Sequence, residues 1–231
     1  MYPKLYAITD DKFFKSTDDL KKAIFLCLEY KIPIFQYRFK NRNLKQILKD
    51  FEIISSLLYK ENGKLIIILN DYKNYIKDIF KEGFYIHGLH LGQKDFNLKE
   101  DKALLSFLKQ NNLLFGLSTH NDKEIEMAQN LYKNYHLSYI GFGPIYKPIS
   151  KLDHDPIVGP EKLKEVLSKI SIPIVALGGI TLKNIGEIIK IFQNYRRQKY
   201  DLDSIAGISL FFKENFEENF KKLKSTLEML R

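Results

Sequence analysis

The feature that most limits how this chain can fold is an alternation, repeated eight times, of a short apolar run with a longer stretch of helical period. The short runs are Leu5–Ile8, Ile34–Arg38, Leu65–Asn70, Gly88–Leu91, Leu114–Leu117, Tyr139–Phe142, Ile174–Leu177 and Ile205–Ile208. Several are almost wholly apolar, as strands covered on both faces must be. The helical segments are Asp18–Tyr30, Leu44–Lys60, Tyr72–Lys81, Asp101–Gln110, Asp122–Asn134, Pro160–Lys169, Leu182–Gln193 and Lys213–Leu230. In the first of these Leu20, Ile24, Cys27 and Leu28 share one face, a core stripe that accounts for the cysteine. Asn97 and Asn121, each three residues ahead of a glutamate, read as helix starts. Pro33 and Pro173 stand at strand starts, where a missing N–H is tolerated. Strict alternation implies parallel strands joined by right-handed crossovers, and eight units imply closure. The expected fold class is α/β, a single (β/α)8 TIM barrel over residues 1–231. The rival is an open doubly wound sheet; the lack of Gly-x-Gly-x-x-Gly after the first strand weakens its dinucleotide-binding version.

Charge narrows the partners less than its size suggests. The formal charge is +9, from 37 Lys and Arg against 28 Asp and Glu, which is compatible with nucleic acid, a membrane surface or anionic substrates. The lysines, however, are spread over nearly every helical segment. The only compact basic run, Arg196-Arg197-Gln198-Lys199, lacks the interleaved aromatics of a nucleic-acid module. Neither nucleic acid nor membrane is the expected partner. Apolar runs such as Leu65–Leu69 are far shorter than the roughly 18 residues of a membrane span, and MYPKLYAITD contains no apolar leader segment. One cysteine, Cys27, excludes an intrachain disulfide. The expected setting is cytoplasmic; a homodimer is compatible with the sequence and not specified by it.

In such barrels chemistry sits where strands end and βα-loops begin, and there polar residues interrupt the apolar runs. The second strand leads into Gln36-Tyr37-Arg38-Phe39-Lys40, where Arg38 and Lys40 share strand parity and would both face the mouth; the plainer reading is two solvated loop charges. The third ends in Asn70-Asp71, and the fourth leads to Asp95. Carboxylates beyond adjacent strands can converge on Mg²⁺, which commonly takes one or two of them with water and phosphate oxygens; helix capping and turn formation are the alternatives. Ser118 and His120 follow the fifth strand and could contact substrate or move a proton. His87 and His90, three apart, face opposite sides of a strand and do not suit a shared zinc. After the sixth strand a long loop carries Ser150 and Lys151, the latter a candidate phosphate contact. Gly178-Gly179 after the seventh strand, and Gly207 through Ser209 after the eighth, would let backbone N–H groups approach a phosphate, unless they only form tight turns.

Taken together, Tyr6-Ala7-Ile8-Thr9-Asp10, Gln36–Lys40, Leu69-Asn70-Asp71, Gly88–Asp95, Gly116–His120, Gly141–Tyr146 and Ala176–Ile180 resemble the thiamine phosphate synthases and their TenI-type relatives. The matches run in order over nearly the whole chain; His-x-Gly-Gln-x-Asp and Gly-Pro-Ile-Tyr are the most specific. The resemblance implies coupling of a hydroxymethylpyrimidine diphosphate to a thiazole phosphate with release of diphosphate. Cleavage has dissociative character, and the thiazole nitrogen attacks the resulting pyrimidine cation. It implies Mg²⁺ on Asp71 and Asp95, the diphosphate on Arg38, Lys40, Asn70 and Lys151, and Ser118 beside the leaving group. Gln36, Ser150, Gly179 and Ser209 fall among the implied substrate contacts. The implied partners are therefore small phosphorylated pyrimidine and thiazole substrates.

Two departures bear on that implication. Pro148 stands where the family loop has its first threonine, and Leu210-Phe211-Phe212 follows the eighth strand, so that a bulky Phe212 is expected to crowd the thiazole phosphate. The competing functions are a TenI-type thiazole tautomerase, with His120 moving the proton, and a non-catalytic binder of thiamine precursors on the same fold. Retention of Asp71 and Asp95 favours the transferase.

Overall fold

The computed structural model describes residues 3–148, 156–196 and 200–230. The strands are β1 (Lys4–Ile8), β2 (Ile34–Tyr37), β3 (Ile66–Asn70), β4 (Gly88–Leu91), β5 (Leu114–Thr119), β6 (Tyr139–Phe142), β7 (Ile174–Ala176) and β8 (Ser204–Gly207). The helices among the described residues are α1 (Thr17–Glu29), α2 (Leu44–Lys60), α3 (Ile76–Lys81), α4 (Lys102–Gln110), α5 (Asp122–Asn134), α6 (Gly159–Lys169), α7 (Ile185–Tyr195) and α8 (Phe216–Met229). The strands pair in parallel in sequence order, and β8 closes onto β1, forming the expected barrel.

Local chemistry sets the helix starts. Ser16 and Asp19 bond reciprocally ahead of α1, as Asn43 and Gln46 do ahead of α2. Asn121 caps α5 as expected, accepting the Glu124 N–H at 3.1 Å. The Asn97–Glu100 pair behaves differently. Asn97 Oδ1 takes the Lys99 N–H at 3.0 Å and Asp101 Oδ2 takes the Asn97 N–H at 2.8 Å, which folds a turn and delays α4 to Lys102. Similar turns shorten α3 and α7, whose expected first residues Tyr72 and Leu182 precede the helices.

Two cores follow from the closure. The larger lies between strands and helices and takes the outward-facing residues of the sheet, among them Phe35, Ile67, Leu89, Phe115 and Ile140. Cys27 belongs to it, fully buried, as its place in the helical stripe implies. The smaller core fills the barrel itself, with Tyr6, Ile8, Ile34, Ile68, Tyr139, Val175 and Ala206. Register pairs His90 with Gly116 and Gly116 with Tyr139, so a glycine on β5 separates large rings on β4 and β6. A Cβ on Gly116 would lie 2.2 Å from Tyr139 Cζ and 2.6 Å from His90 Nδ1; one on Gly141 would lie 3.0 Å from His90 Cε1. The vacated space lets His90 and Tyr139 stack at 5.6 Å with their planes 21° apart.

The face opposite the loops that follow the strands is pinned by one buried ion pair. Arg196 Nε and Nη2 donate to the two Asp203 oxygens at 2.7 and 2.9 Å, and Nη1 and Nη2 also reach the Ile170 and Ile172 carbonyls. Asp203 Oδ1 accepts the Ile174 N–H at 2.8 Å, and the guanidinium lies 4.1 Å from the Tyr200 ring centre. The pair ties the ends of α6 and α7 to the starts of β7 and β8. Arg196 is thus a buried structural cation and not part of a basic surface; residues 197–199 of that run lie outside the described residues.

Two outcomes follow for stability. Arg196→Ala strands the Asp203 carboxylate in the interior and should cost about 3–5 kcal/mol by chemical denaturation. Gly116→Ala, by driving Tyr139 and His90 apart, should cost about 1–3 kcal/mol.

Candidate active site

The polar residues of the inner wall gather where the strands end. Inward parity runs through Gln36, Asn70, His90 and Ser118, since register pairs Asn70 with His90, and Ser118 shares the parity of Gly116. Gln36, Asn70 and His90 are buried and Ser118 is half-buried. Sequence reasoning had singled out Gln36, Asn70 and Ser118. His90, weighed there only as a zinc ligand, and Tyr6 and Tyr139 were not among them; strand parity puts their side chains inside the barrel, and the register brings their polar atoms together. His87 does face the other way, taking the Ile67 N–H on Nδ1 at 3.1 Å.

Burial is the first cause that pushes the His90 pKa down, to about 4, and the Arg38 charge and the neighbouring His120 imidazole push it the same way. His90 is therefore neutral at physiological pH. Its ring nitrogens stand 3.2 Å from the Tyr139 hydroxyl and 3.0 Å from Ser118 Oγ. The Ser118 carbonyl accepts from Gln93 Nε2 at 2.5 Å, which fixes the end of β5 to the loop after β4.

The β1 loop holds the basic end of β2. Arg38 Nη1 donates to Asp10 Oδ2 at 2.8 Å, and Thr9 Oγ1 both accepts the Arg38 N–H and donates to the Arg38 carbonyl. Arg38 and Lys40 both lie beyond the last paired residue of β2, and Lys40 is the more exposed of the two. The strand ends at Tyr37, and Lys40 sits exposed in a bend, its N–H bonded to Asp11 Oδ2 at 2.8 Å. Arg38 faces the mouth near Asp71 and His90, whose titrations it perturbs; Lys40 stands at the rim.

Asp71 and Asp95 converge across the ends of β3 and β4. Asp71 takes a left-handed backbone with φ 66°, and its carboxylate accepts from the Asn70 side chain and the Gly92 N–H. A Cβ on Gly92 would lie 2.9 Å from Asp95 Oδ2, so both acids flank that glycine. Although Asp71 as a residue is exposed, crowding around its carboxyl raises its pKa first, and the Asp95 charge raises it further. Among the described residues no third His, Cys, Asp or Glu joins them. Two hard oxygen donors with open space beyond suit Mg²⁺, which keeps most of its coordination for water and phosphate.

The loops after β6 and β7 are built against each other. Ile145 N–H donates to the Leu177 carbonyl at 2.9 Å and Tyr146 N–H to the Gly178 carbonyl at 3.0 Å. Gly178 and Gly179 take φ of 92° and 66°. A Cβ on Gly179 would meet the Tyr146 and Lys147 carbonyl oxygens at 2.6 and 2.7 Å, so only glycine fits. The Tyr146 hydroxyl donates to Glu187 Oε2 at 2.6 Å, and the Val158 N–H to the Pro144 carbonyl at 2.9 Å. Ser150 and Lys151 lie outside the described residues. His120 Nδ1 stands 2.5 Å from the Gly143 carbonyl, to which it can only donate, and its N–H bonds Glu124 Oε2 at 2.7 Å.

Ser209 is half-buried in the turn after β8, beside the β7 end. Phe212 does not crowd that turn. It is fully buried among Phe14, Phe35, Phe216 and Phe220, with centroids 5.0 to 6.2 Å away, in the layer between barrel and helices. The turn bonds from Phe211 and Phe212 N–H to the Ile208 carbonyl direct the chain outward.

Comparison with known proteins agrees with this geometry. The family model described as thiamine monophosphate synthase (TMP-TENI) matches residues 5–210. A thiamine-phosphate synthase of Persephonella marina is 32% identical over 230 residues, 97% of this chain and 95% of that protein. One of Lawsonia intracellularis is 35% identical over 188 residues, 80% of this chain and 78% of that protein. Among solved structures, thiamine phosphate pyrophosphorylase from Pyrococcus furiosus superposes with a TM-score of 0.72 at 22% identity, covering 98% of this chain and 96% of that one. At such identity the likeness speaks for the fold. A closed eight-stranded barrel, acids and an arginine at its mouth, and a family match over nearly the whole length lead to one assignment: this chain belongs to the thiamine monophosphate synthase family.

Proposed function

We propose that this protein joins a hydroxymethylpyrimidine diphosphate to a thiazole phosphate, releasing diphosphate. The single observation that carries the reading is the convergence of Asp71 and Asp95 beside Gly92, close enough to Arg38 for its charge to act on Asp71. A tautomerase moves protons on one substrate and has no use for such a carboxylate pair; a coupling enzyme must gather and neutralise a leaving diphosphate.

In this reading Asp71 and Asp95 hold Mg²⁺, which when bound supplies charge neutralisation to the diphosphate oxygens. Arg38, fixed by its ion pair to Asp10, lies on the opposite side of the leaving group, and Asn70 and Ser118 offer neutral hydrogen bonds beside it. Lys40 at the rim adds a second cation, and Lys151, from the loop after β6, a third. As the pyrimidine C–O bond breaks, negative charge collects on the departing oxygen; donors already in place there stabilise it without reorganising. Neutral His90 and the dry inner wall below keep water from the cationic pyrimidine carbon. The Gly179 N–H, with Ser209 alongside, holds the thiazole phosphate so that the ring nitrogen meets that carbon in line. A cytoplasmic setting is part of the same proposal, supported by the buried thiol of Cys27; no described helix is long and apolar enough to cross a membrane.

Purified protein given both phosphorylated precursors should form thiamine phosphate when Mg²⁺ is present and not when it is chelated. Thiazole isomerisation without coupling would overturn the proposal. Asp95→Ala should abolish metal-dependent coupling and leave the circular dichroism spectrum and melting temperature close to those of the parent; undiminished turnover removes Asp95 from the metal site.

Asp71 also makes a prediction with a definite sign. Its folded-state pKa lies above the unfolded value. Folding is therefore penalised once Asp71 ionises, and the penalty grows as pH rises from the ordinary carboxylate range through the raised value. Asp71→Asn, which also suits a left-handed backbone, should raise the metal-free melting temperature at neutral pH. The gain should disappear by about pH 3, below the ordinary Asp value, where the group is protonated in both states.

A further inference from the structure

The polar groups inside the barrel form one continuous chain with a direction. Gln36 Nε2 donates to the Tyr6 oxygen at 2.9 Å. The Tyr6 hydroxyl is 3.0 Å from the Tyr139 hydroxyl, which is 3.2 Å from His90 Nδ1; His90 Nε2 is 3.0 Å from Ser118 Oγ. Five side chains from β2, β1, β6, β4 and β5 thus join the buried interior to the mouth.

Each link constrains the next. An amide nitrogen donates and never accepts, and a phenol has one proton. Tyr6 receives from Gln36, and among the described hydrogen bonds its own proton has no acceptor but the Tyr139 oxygen; Tyr139, receiving there, then gives its proton to His90 Nδ1. That nitrogen must then be bare, so the neutral imidazole carries its hydrogen on Nε2 and gives it to Ser118 Oγ. Ser118, with a lone pair so engaged, has its hydroxyl hydrogen left for whatever occupies the mouth. The opposite sense would spend that hydrogen on His90 and turn Ser118 lone pairs toward an anion, a repulsive arrangement where charge develops. The rings cannot swing away from this path: Gly116 and Gly141 open only enough room for His90 and Tyr139 to stack.

We propose that the Gln36 amide, acting through Tyr6, Tyr139 and His90, sets Ser118 as a hydrogen-bond donor to the anionic leaving group. This deepens the synthase reading and rests on it. Tyr6 and Tyr139 are then positioning residues, since their hydroxyls act on the leaving group only through His90 and Ser118.

The imidazole tautomer reports the direction without substrate. ¹⁵N NMR of the metal-free, substrate-free protein at neutral pH should show His90 protonated on Nε2 alone. Gln36→Leu, which removes the fixed donor, should let the Nδ1–H form gain population. A wild-type His90 protonated on Nδ1, or an unchanged tautomer in Gln36→Leu, overturns the proposal. In the coupling assay Tyr139→Phe should lower kcat by about tenfold and leave KM for the thiazole phosphate within about twofold, as expected of a group acting at the departing oxygen; an unchanged kcat severs the chain from turnover. The two readings fail separately. A wild-type protein that does not couple the precursors overturns the assigned reaction, whereas the wrong tautomer in a protein that couples them overturns only the chain's polarity.

Discussion

Closing eight parallel strands into a ring sends every second side chain into a volume that solvent does not reach, and the molecule must fill it without voids and without stranded polar atoms. Here it is filled by Ile34, Ile68, Val175 and Ala206 together with two phenols, an imidazole and an amide. Those polar rings are affordable only because each finds a partner; no buried side-chain nitrogen or oxygen among the described residues lacks one. Glycines at inward positions make the geometry workable, since His90 and Tyr139 occupy the space that side chains on Gly116 and Gly141 would claim. The same packing that stabilises the barrel therefore shapes the floor of its mouth.

Above that floor, charge is separated before any ligand arrives. Arg38 is drawn to Asp10 on the β1 loop, while Asp71 and Asp95 are pressed together on the loops after β3 and β4. His90 on β4 is kept neutral beside them, its protonation suppressed first by burial and then by the Arg38 charge. The crowded carboxylates gain most from a bound cation, and Arg38 from an anion, so the mouth suits an ion pair larger than either group alone. Strain is present too: Asp71 holds a backbone conformation that few side chains adopt readily.

Much of this was legible in the sequence, and the exceptions have physical reasons. The barrel could be read because buried parallel strands are written as apolar runs and their crossovers as helical periods. Asp71, Asp95, Arg38 and Ser118 could be located because strand ends are where such folds expose polar groups. The joint role of Tyr6, Tyr139 and His90 was not legible because aromatic residues inside an apolar run look like core; only the register with Gly116 reveals that their polar atoms face one another. How exposed Lys40 would be was not legible, because β2 ends at Tyr37 and the residues after it enter a bend. Phe212 looked like an obstruction because sequence position does not reveal that the turn at Ile208 throws the next residues outward into a cluster of phenylalanines.

The backbone interlock between the loops after β6 and β7 has a consequence for how such barrels diversify. Gly179 is constrained twice, by its left-handed φ and by carbonyl oxygens of Tyr146 and Lys147 where a side chain would begin. The Tyr146 hydroxyl, meanwhile, reaches across to Glu187 on the helix that follows the glycine turn. These segments, more than thirty residues apart in the chain, act as one mechanical part. Chimaeras that graft one loop from a relative inherit a mismatch unless the other travels with it, so recombination in this fold should succeed at half-barrel seams sooner than at single loops.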